Sequence, residues 1–407
     1  MDHIDQKFAK LAADDAPGQE VRQQPDGIQT SLNMEGGVLS GTPVDFSHGD
    51  VDAFLPTPGA QDAFNSGFEA GGQQAYTEYR GSSLIREELA QKLSRFTNSS
   101  VLDGDSLILT PGTQGALFLA IASTVCAGDK VAIVQPDYFA NRKLVQFFEG
   151  QVVPVRLGYL ESTAGAGLDL QELEDAFKAG AKVLVFSNPN NPTGVIYSEQ
   201  EIRTIAELAN RYGAIVIVDQ LYSRLLYENR SFTHLCSEGI DPENVITIMG
   251  PSKTESLSGY RLGVAFGSRR IVDRMEKLQA IVSLRAAGYN QAVLRTWFSE
   301  PPGWMSERIA LHQAIRDDLL KALRVVEGVK ARTPEAGSYL FPKLPKLKVS
   351  ERDFVKILRL QAGVTVTTGT EFSPHHADSV RLNFSQDHKA AVSAIERTAE
   401  LVGRYRK

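Results

Sequence analysis

The stretch Gly250-Pro-Ser-Lys-Thr-Glu-Ser-Leu-Ser-Gly-Tyr-Arg-Leu-Gly263 follows directly on Val245-Ile-Thr-Ile-Met249, a run that is β-branched and apolar on both faces. Such a run suits a central strand of a parallel sheet covered by helices. Lys253 then stands at a strand end among small residues, where partial burial lowers an amine's pKa and readies it for a Schiff base. A Ser-Lys dipeptide alone says nothing, because most lysines are solvated surface residues. The surrounding chain has to decide.

Upstream lie two more runs of the same kind, Lys182-Val-Leu-Val-Phe-Ser187 and Ala214-Ile-Val-Ile-Val-Asp219. Ser198 and Glu201 form a capping box for a helix between them; Ile202, Ile205, Ala209 and Tyr212 share one face, and Gly213 takes the C-cap. Strand, helix and strand within about 40 residues make a βαβ unit. Beyond Pro301-Pro-Gly303 the pattern predicts a long helix to about Gly328, short strands at 337–341, 364–366 and 379–384, and a final helix over 387–405. The expected fold is α/β: a mostly parallel central sheet in a large domain, plus a smaller α+β domain. The expected division is 1–58 for an N-terminal arm with part of the small domain, 59–300 for the large domain and 301–407 for the C-terminal small domain.

The 407 residues carry 43 Lys+Arg against 49 Asp+Glu, a net charge of −6, with no basic cluster. That balance argues against nucleic acid as the main partner. Apolar residues at 42% and charged residues at 23% describe an ordinary globular chain rather than a disordered or fibrous one. Cys126 and Cys236 cannot build a disulfide framework, which fits a reducing compartment. The first thirty residues lack an apolar signal core, and no apolar run approaches the roughly 18 residues of a membrane helix. A cytoplasmic protein is expected.

Three further segments accompany Lys253. Ser187-Asn-Pro-Asn-Asn-Pro-Thr-Gly194 follows one strand, at the edge where open α/β sheets bind ligands. Asp219, with Tyr222 three residues on, ends the next. Thr110-Pro-Gly-Thr-Gln-Gly115 leads into an apolar helix at 116–124 and can offer backbone amides to a phosphate. Singly these are a turn, a helix cap and a common glycine loop. In this order and spacing, from about Asp45 to the C-terminus, the chain resembles the class I/II aminotransferases, fold-type I enzymes that use pyridoxal 5′-phosphate, which implies seven strands in the central sheet.

The resemblance implies a role for each residue. Lys253 would hold the cofactor and shuttle the proton at the substrate Cα. Asp219 would face the pyridine nitrogen, and Tyr222 and Asn191 the phenolic oxygen. Arg261, Ser252, Gly112, Thr113 and Gln114 would hold the phosphate at a helix N-terminus. Tyr138 would stack on the ring, and Tyr76 would reach the neighbouring subunit's phosphate, implying a homodimer with shared sites. Arg381, in Ser379-Val-Arg-Leu-Asn-Phe384, would grip the substrate α-carboxylate near Asn191 and the Gly49 backbone. Gly369 and Phe372 match a small-domain turn. No metal site is assigned.

Several positions depart from the family pattern. Gly250 stands where Ser or Thr usually meets the phosphate, Gln220 where Glu is common, and Asn141 replaces a frequent tyrosine. Glu255 takes a position usually aromatic or aliphatic, His48 lies near the expected substrate, and Arg285 falls on the loop expected to cross from the partner. An inward Glu255 would favour a cationic side chain such as that of arginine; an inward Arg285 would favour an acidic one. The sequence leans towards Glu255, which shares a loop with Lys253. The expected reaction is amino transfer from an amino acid to a 2-oxo acid. The alternatives are a dioxygen-using arginine oxidase, desaturase or hydroxylase, a C–S lyase or decarboxylase, and, weakest, an effector domain of a transcriptional regulator.

Overall fold

The computed structural model describes residues 3–9, 11, 32, 34–47, 53–99 and 102–407. In chain order the strands are β1 (Val44–Asp45), β2 (Leu107–Pro111), β3 (Lys130–Gln135), β4 (Gln151–Arg156), β5 (Ala181–Ser187), β6 (Ile215–Asp219), β7 (Val245–Met249), β8 (Leu262–Gly267), β9 (Tyr339–Leu340), β10 (Val364–Thr365), β11 (Thr367–Thr368) and β12 (Val380–Asn383).

Seven of them form one sheet in the order β2-β8-β7-β6-β5-β3-β4. The pairs from β4 through β7 are parallel, and β8 runs antiparallel to both β7 and β2. Both faces are covered, which is why the central strands are apolar on both faces. Ala132, Val134, Leu184, Phe186, Val216 and Val218 pack on one side. Their neighbours Val131, Ile133, Val183, Val185 and Ile217 pack on the other. Helices Leu170–Lys178 and Glu199–Tyr212 cover the first face; Gly112–Ala122 and Arg269–Val282 cover the second.

Helix Glu199–Tyr212 forms for the reasons its sequence gives. Ser198 accepts from the Glu201 N–H, Glu201 closes the capping box, and Gly213 ends the helix at φ 61°. It buries Ile202, Ile205 and Ala209, and each of the two isoleucines contributes about 2 kcal/mol of apolar burial. The glycine loop differs from expectation: the helix starts at Gly112, four residues earlier. Gly112 adopts φ 76°, so the chain turns from β2 into the helix without a separate loop. Thr113 and Gln114 thereby lie in its first turn.

A second apolar core gathers Val44 and Phe46 with Tyr339, Leu340, Val364, Val380, Leu382 and Phe384, covered by helices Trp304–Arg324 and His388–Tyr405. Tyr222, Leu225 and Tyr227, from the loop after β6, also belong to it. Strand β12 pairs antiparallel with β9 and β11, opposing Asn383 to Tyr339 and Arg381 to Thr367.

Candidate active site

Strands β2, β3, β5, β6 and β7 all deliver their C-terminal ends to one edge of the sheet, and β8, running the other way, brings its start there. Loops leaving and entering at that edge enclose a cavity of about 270 Å³. Thr113 and Gln114 follow β2, Tyr138 follows β3, Asn191 follows β5, and Asp219 with Tyr222 ends β6. Ser252 and Lys253 follow β7, Arg261 precedes β8, and Arg381 comes from β12. All ten line the cavity. Ser47, Ser187, Ser258 and Tyr339 line it as well and were not expected.

At the phosphate end the backbone is tightly packed. A Cβ on Gly112 would collide with the Arg261 guanidinium, and one on Gly263 would strike the Gly112–Thr113 peptide. Arg261 adopts φ 51° and donates from Nη1 to the Ser258 carbonyl at 3.0 Å. The departure at Gly250 has a physical counterpart here: a Cβ there would sit 2.8 Å from Cγ2 of Thr113. The Thr113 methyl fills the space that a side chain at 250 would occupy.

The floor carries Asp219. Its carboxylate accepts from the Leu221 N–H at 2.9 Å, and no cation among the described residues forms an ion pair with it. Burial pushes its carboxyl up to about 6 against the pull of that N–H. Tyr138 walls the cavity, its hydroxyl donating to Gln114 Oε1 at 3.0 Å. Beneath it Asp137 accepts from the Ser187 N–H at 2.9 Å and the Ser187 hydroxyl at 2.5 Å. The same Ser187 hydroxyl accepts from the Asn191 N–H at 3.0 Å, so this buried chain fixes Asn191. Burial pushes the Asp137 carboxyl up to about 8, opposed by the Ser187 and Tyr138 hydrogen bonds.

Arg381 is 4% exposed. Its guanidinium donates to Asn191 Oδ1 at 3.0 Å and to the Ser47 carbonyl at 2.9 Å, and its Nε has no partner. The rings of Tyr339 and Phe372 flank it, at 4.2 and 4.6 Å. No acidic side chain among the described residues pairs with it. A buried guanidinium without a counter-ion is costly, and a bidentate carboxylate relieves that cost.

Glu255 and Arg285 do not line the cavity. Glu255, 1% exposed, points into an ion cluster where Arg224 contacts it and also grips Glu300 with two prongs at 2.8 and 3.0 Å. Burial raises its carboxyl to about 7, opposed by Arg224 and reinforced by the neighbouring Glu300 charge. The lean towards a cationic substrate is corrected by this geometry. Arg285 stacks on Tyr76, 3.4 Å from the ring centroid, at the surface. His48 and Gly49 lie outside the described residues.

A lysine amine, a buried carboxylate and a phosphate-sized basic corner around one cavity define a pyridoxal-phosphate enzyme of fold type I. Residues 43–397 match the family described as aminotransferase class I and II, and the chain belongs to that family. An aspartate aminotransferase from Sulfolobus acidocaldarius is 29% identical over 339 residues, covering 82% of this chain and 83% of that one. The crystal structure of an aspartate aminotransferase from Rhodobacter sphaeroides shares 67% identity, covers 99% of this chain and all of that one, and superposes with a TM-score of 0.94. The fold is also that of the Thermus thermophilus aspartate aminotransferase with maleate, at 24% identity, 98% and 97% coverage and a TM-score of 0.81. The chain is thus a pyridoxal-phosphate-dependent aminotransferase acting on an amino acid and a 2-oxo acid. The oxygen-using alternative finds no support among these relatives.

Proposed function

We propose that this aminotransferase takes the amino group of a dicarboxylic amino acid, aspartate foremost, and works as a cytoplasmic homodimer with shared sites. The observation that carries the amino-acid reading is Arg381, a buried cation with an unused Nε and no acidic partner among the described residues, facing the same cavity as Lys253. The choice of aspartate rests on the 67% identical relative described as an aspartate aminotransferase.

The residues present suit the cofactor. Arg261, Thr113, Ser252 and Ser258 would hold its phosphate, Tyr138 would cover the ring, and Asp219 would face the ring nitrogen. Tyr222 and Asn191 would face the phenolic oxygen. When bound, pyridoxal 5′-phosphate supplies an electron sink for the charge released as the Cα–H bond breaks. Arg381 orients the α-carboxylate so that Cα lies within reach of Lys253. The Lys253 amine takes the proton from Cα and holds it at Nζ for return. Asp219, carried above its usual value by burial, is ionised once a cation opposes it.

Arg285 and Tyr76 enter this reading through a second subunit. Tyr76 is 70% exposed, and Arg285 lies half-buried over its ring, donating to the Thr77 carbonyl. An arginine delivered across a two-fold axis would meet the distal carboxylate of aspartate. The division into 1–58, 59–300 and 301–407 belongs to the same reading, supported by the separate core under helices Trp304–Arg324 and His388–Tyr405.

The test supplies the loaded enzyme with each common amino acid and 2-oxoglutarate or pyruvate, following keto acid, ammonia and oxygen. Aspartate should give the highest kcat/KM, with no oxygen consumed. A preference for arginine, or oxygen uptake matching keto-acid release, would sink the proposal.

A further inference from the structure

Tyr339 lies in a segment whose sequence reads only as a short strand, yet it lines the cavity with Lys253. It sits on β9, which pairs with β12, the strand of Arg381, through the Asn383–Tyr339 register. Its hydroxyl accepts from the Tyr222 hydroxyl at 2.9 Å, and the two rings meet edge to face at 5.5 Å. The Arg381 guanidinium lies over the other side of its ring. Tyr339 is therefore held between two groups of the site itself, Tyr222 and Arg381.

We propose that Tyr339 is a positioning residue that acts through Tyr222, forming a two-phenol relay that sets how strongly Tyr222 binds the cofactor's phenolic oxygen. The inference rests on the reading that Tyr222 faces that oxygen. Without cofactor, the Tyr222 proton points at Tyr339. Once the phenolic oxygen claims that proton, the Tyr339 hydroxyl turns to donate to the Tyr222 oxygen. Hydrogen bonds in series polarise one another, so Tyr222 becomes the stronger donor.

The charges around the pair favour this exchange. Burial pushes the Tyr339 phenol up, but the Arg381 and Lys253 cations and the Tyr222 hydrogen bond outweigh it, against a small opposing effect of Asp219. Tyr339 ends below its ordinary value, and burial with the Tyr339 neighbour holds Tyr222 well above its own.

The sign of the effect follows. A hydroxyl that draws density from the phenolic oxygen weakens that oxygen's hold on the proton beside it. Losing the relay should raise the pH at which the bound cofactor's visible absorbance changes. For Tyr339→Phe the expected rise is about 0.3–0.7 pH unit, the scale of one hydrogen bond. Tyr222→Phe should raise it further, and in the Tyr222→Phe background Tyr339→Phe should add nothing.

A Tyr339→Phe protein that binds cofactor and titrates like the parent, while Tyr222→Phe shifts, would overturn the relay and leave the Tyr222 reading intact. No shift in Tyr222→Phe would overturn both. Additive shifts in the double variant would show that Tyr339 acts independently of Tyr222, which also overturns the inference.

Discussion

The guanidinium of Arg285 lies flat over the ring of Tyr76, 3.4 Å from its centroid, and neither side chain lines the cavity that holds Lys253. Ile281, Val282, Leu284 and Tyr79 are exposed around them. An arginine and tyrosine pair that sits amid exposed apolar side chains, outside its own chain's cavity, fits a surface that a second copy covers.

That arrangement predicts complementation. Lys253→Ala and Arg285→Gln subunits, mixed and reassembled, should recover roughly a quarter of parental activity on aspartate, because half the dimers carry one intact site. Tyr76→Phe should behave likewise in cofactor retention. A mixture no more active than Arg285→Gln alone would place both residues outside the partner's site.

Lys253→Ala should still bind pyridoxal 5′-phosphate through Arg261 and Asp219 but lose turnover by at least about 10³-fold, the scale of a lost proton-transfer group. Borohydride treatment of the parent should fix the cofactor to the peptide containing Lys253. Label on another lysine would refute the assignment.

Arg381→Lys keeps the charge and loses the fork. It should lower kcat/KM for aspartate by about 10²-fold, mostly through KM, since two parallel hydrogen bonds become one point contact. Steady-state kinetics against substrate concentration decide this, and an unchanged KM would remove Arg381 from the carboxylate.

Asp219 gives the unloaded protein a pH signature. Its folded carboxyl stands at about 6, above the ordinary carboxylate range. Between those values the folded state keeps a proton that the unfolded chain releases. The contribution is therefore complete at low pH and is lost as pH rises towards 6, on the order of 2–3 kcal/mol. Urea midpoints across that window should fall more steeply for the parent than for Asp219→Asn. Parallel curves would mean that the carboxyl is not raised.

Glu255→Gln tests whether Glu255 lies outside the substrate pocket. Its partner is Arg224, so the ratio of activities on arginine and aspartate should not move. What should change is stability: a carboxyl raised to about 7 loses its contribution as pH climbs from the ordinary range to that value, and glutamine removes this slope. A selective loss of arginine turnover would restore Glu255 to the substrate pocket.

The sheet and its binding edge were legible because doubly covered strands must be apolar throughout and because the lysine, aspartate and arginine signals lie within single loops. Each such signal is local, so spacing alone could carry it. Tyr339 was not legible, since its meeting with Tyr222 spans 117 positions and depends on how β9 registers with β12. Glu255 misled for a related reason. Its neighbour in sequence is the lysine, but its neighbours in space, Arg224 and Glu300, come from two other loops. Gly250 looked like a lost contact until the Thr113 methyl was seen to fill its place.

The reversed direction of β8 has a consequence for what this chain can tolerate. The segment from Gly250 to Arg261 leaves the sheet at β7 and returns on the adjacent strand, so both its ends are nailed to one antiparallel ladder. It works as a gauge block: its length alone sets the gap between the amine of Lys253 and the guanidinium of Arg261. One residue added or removed there would leave every strand in register and the fold intact, yet would misplace one end of the cofactor relative to the other. Insertions elsewhere at this edge would cost a contact; here they would change the measure of the site.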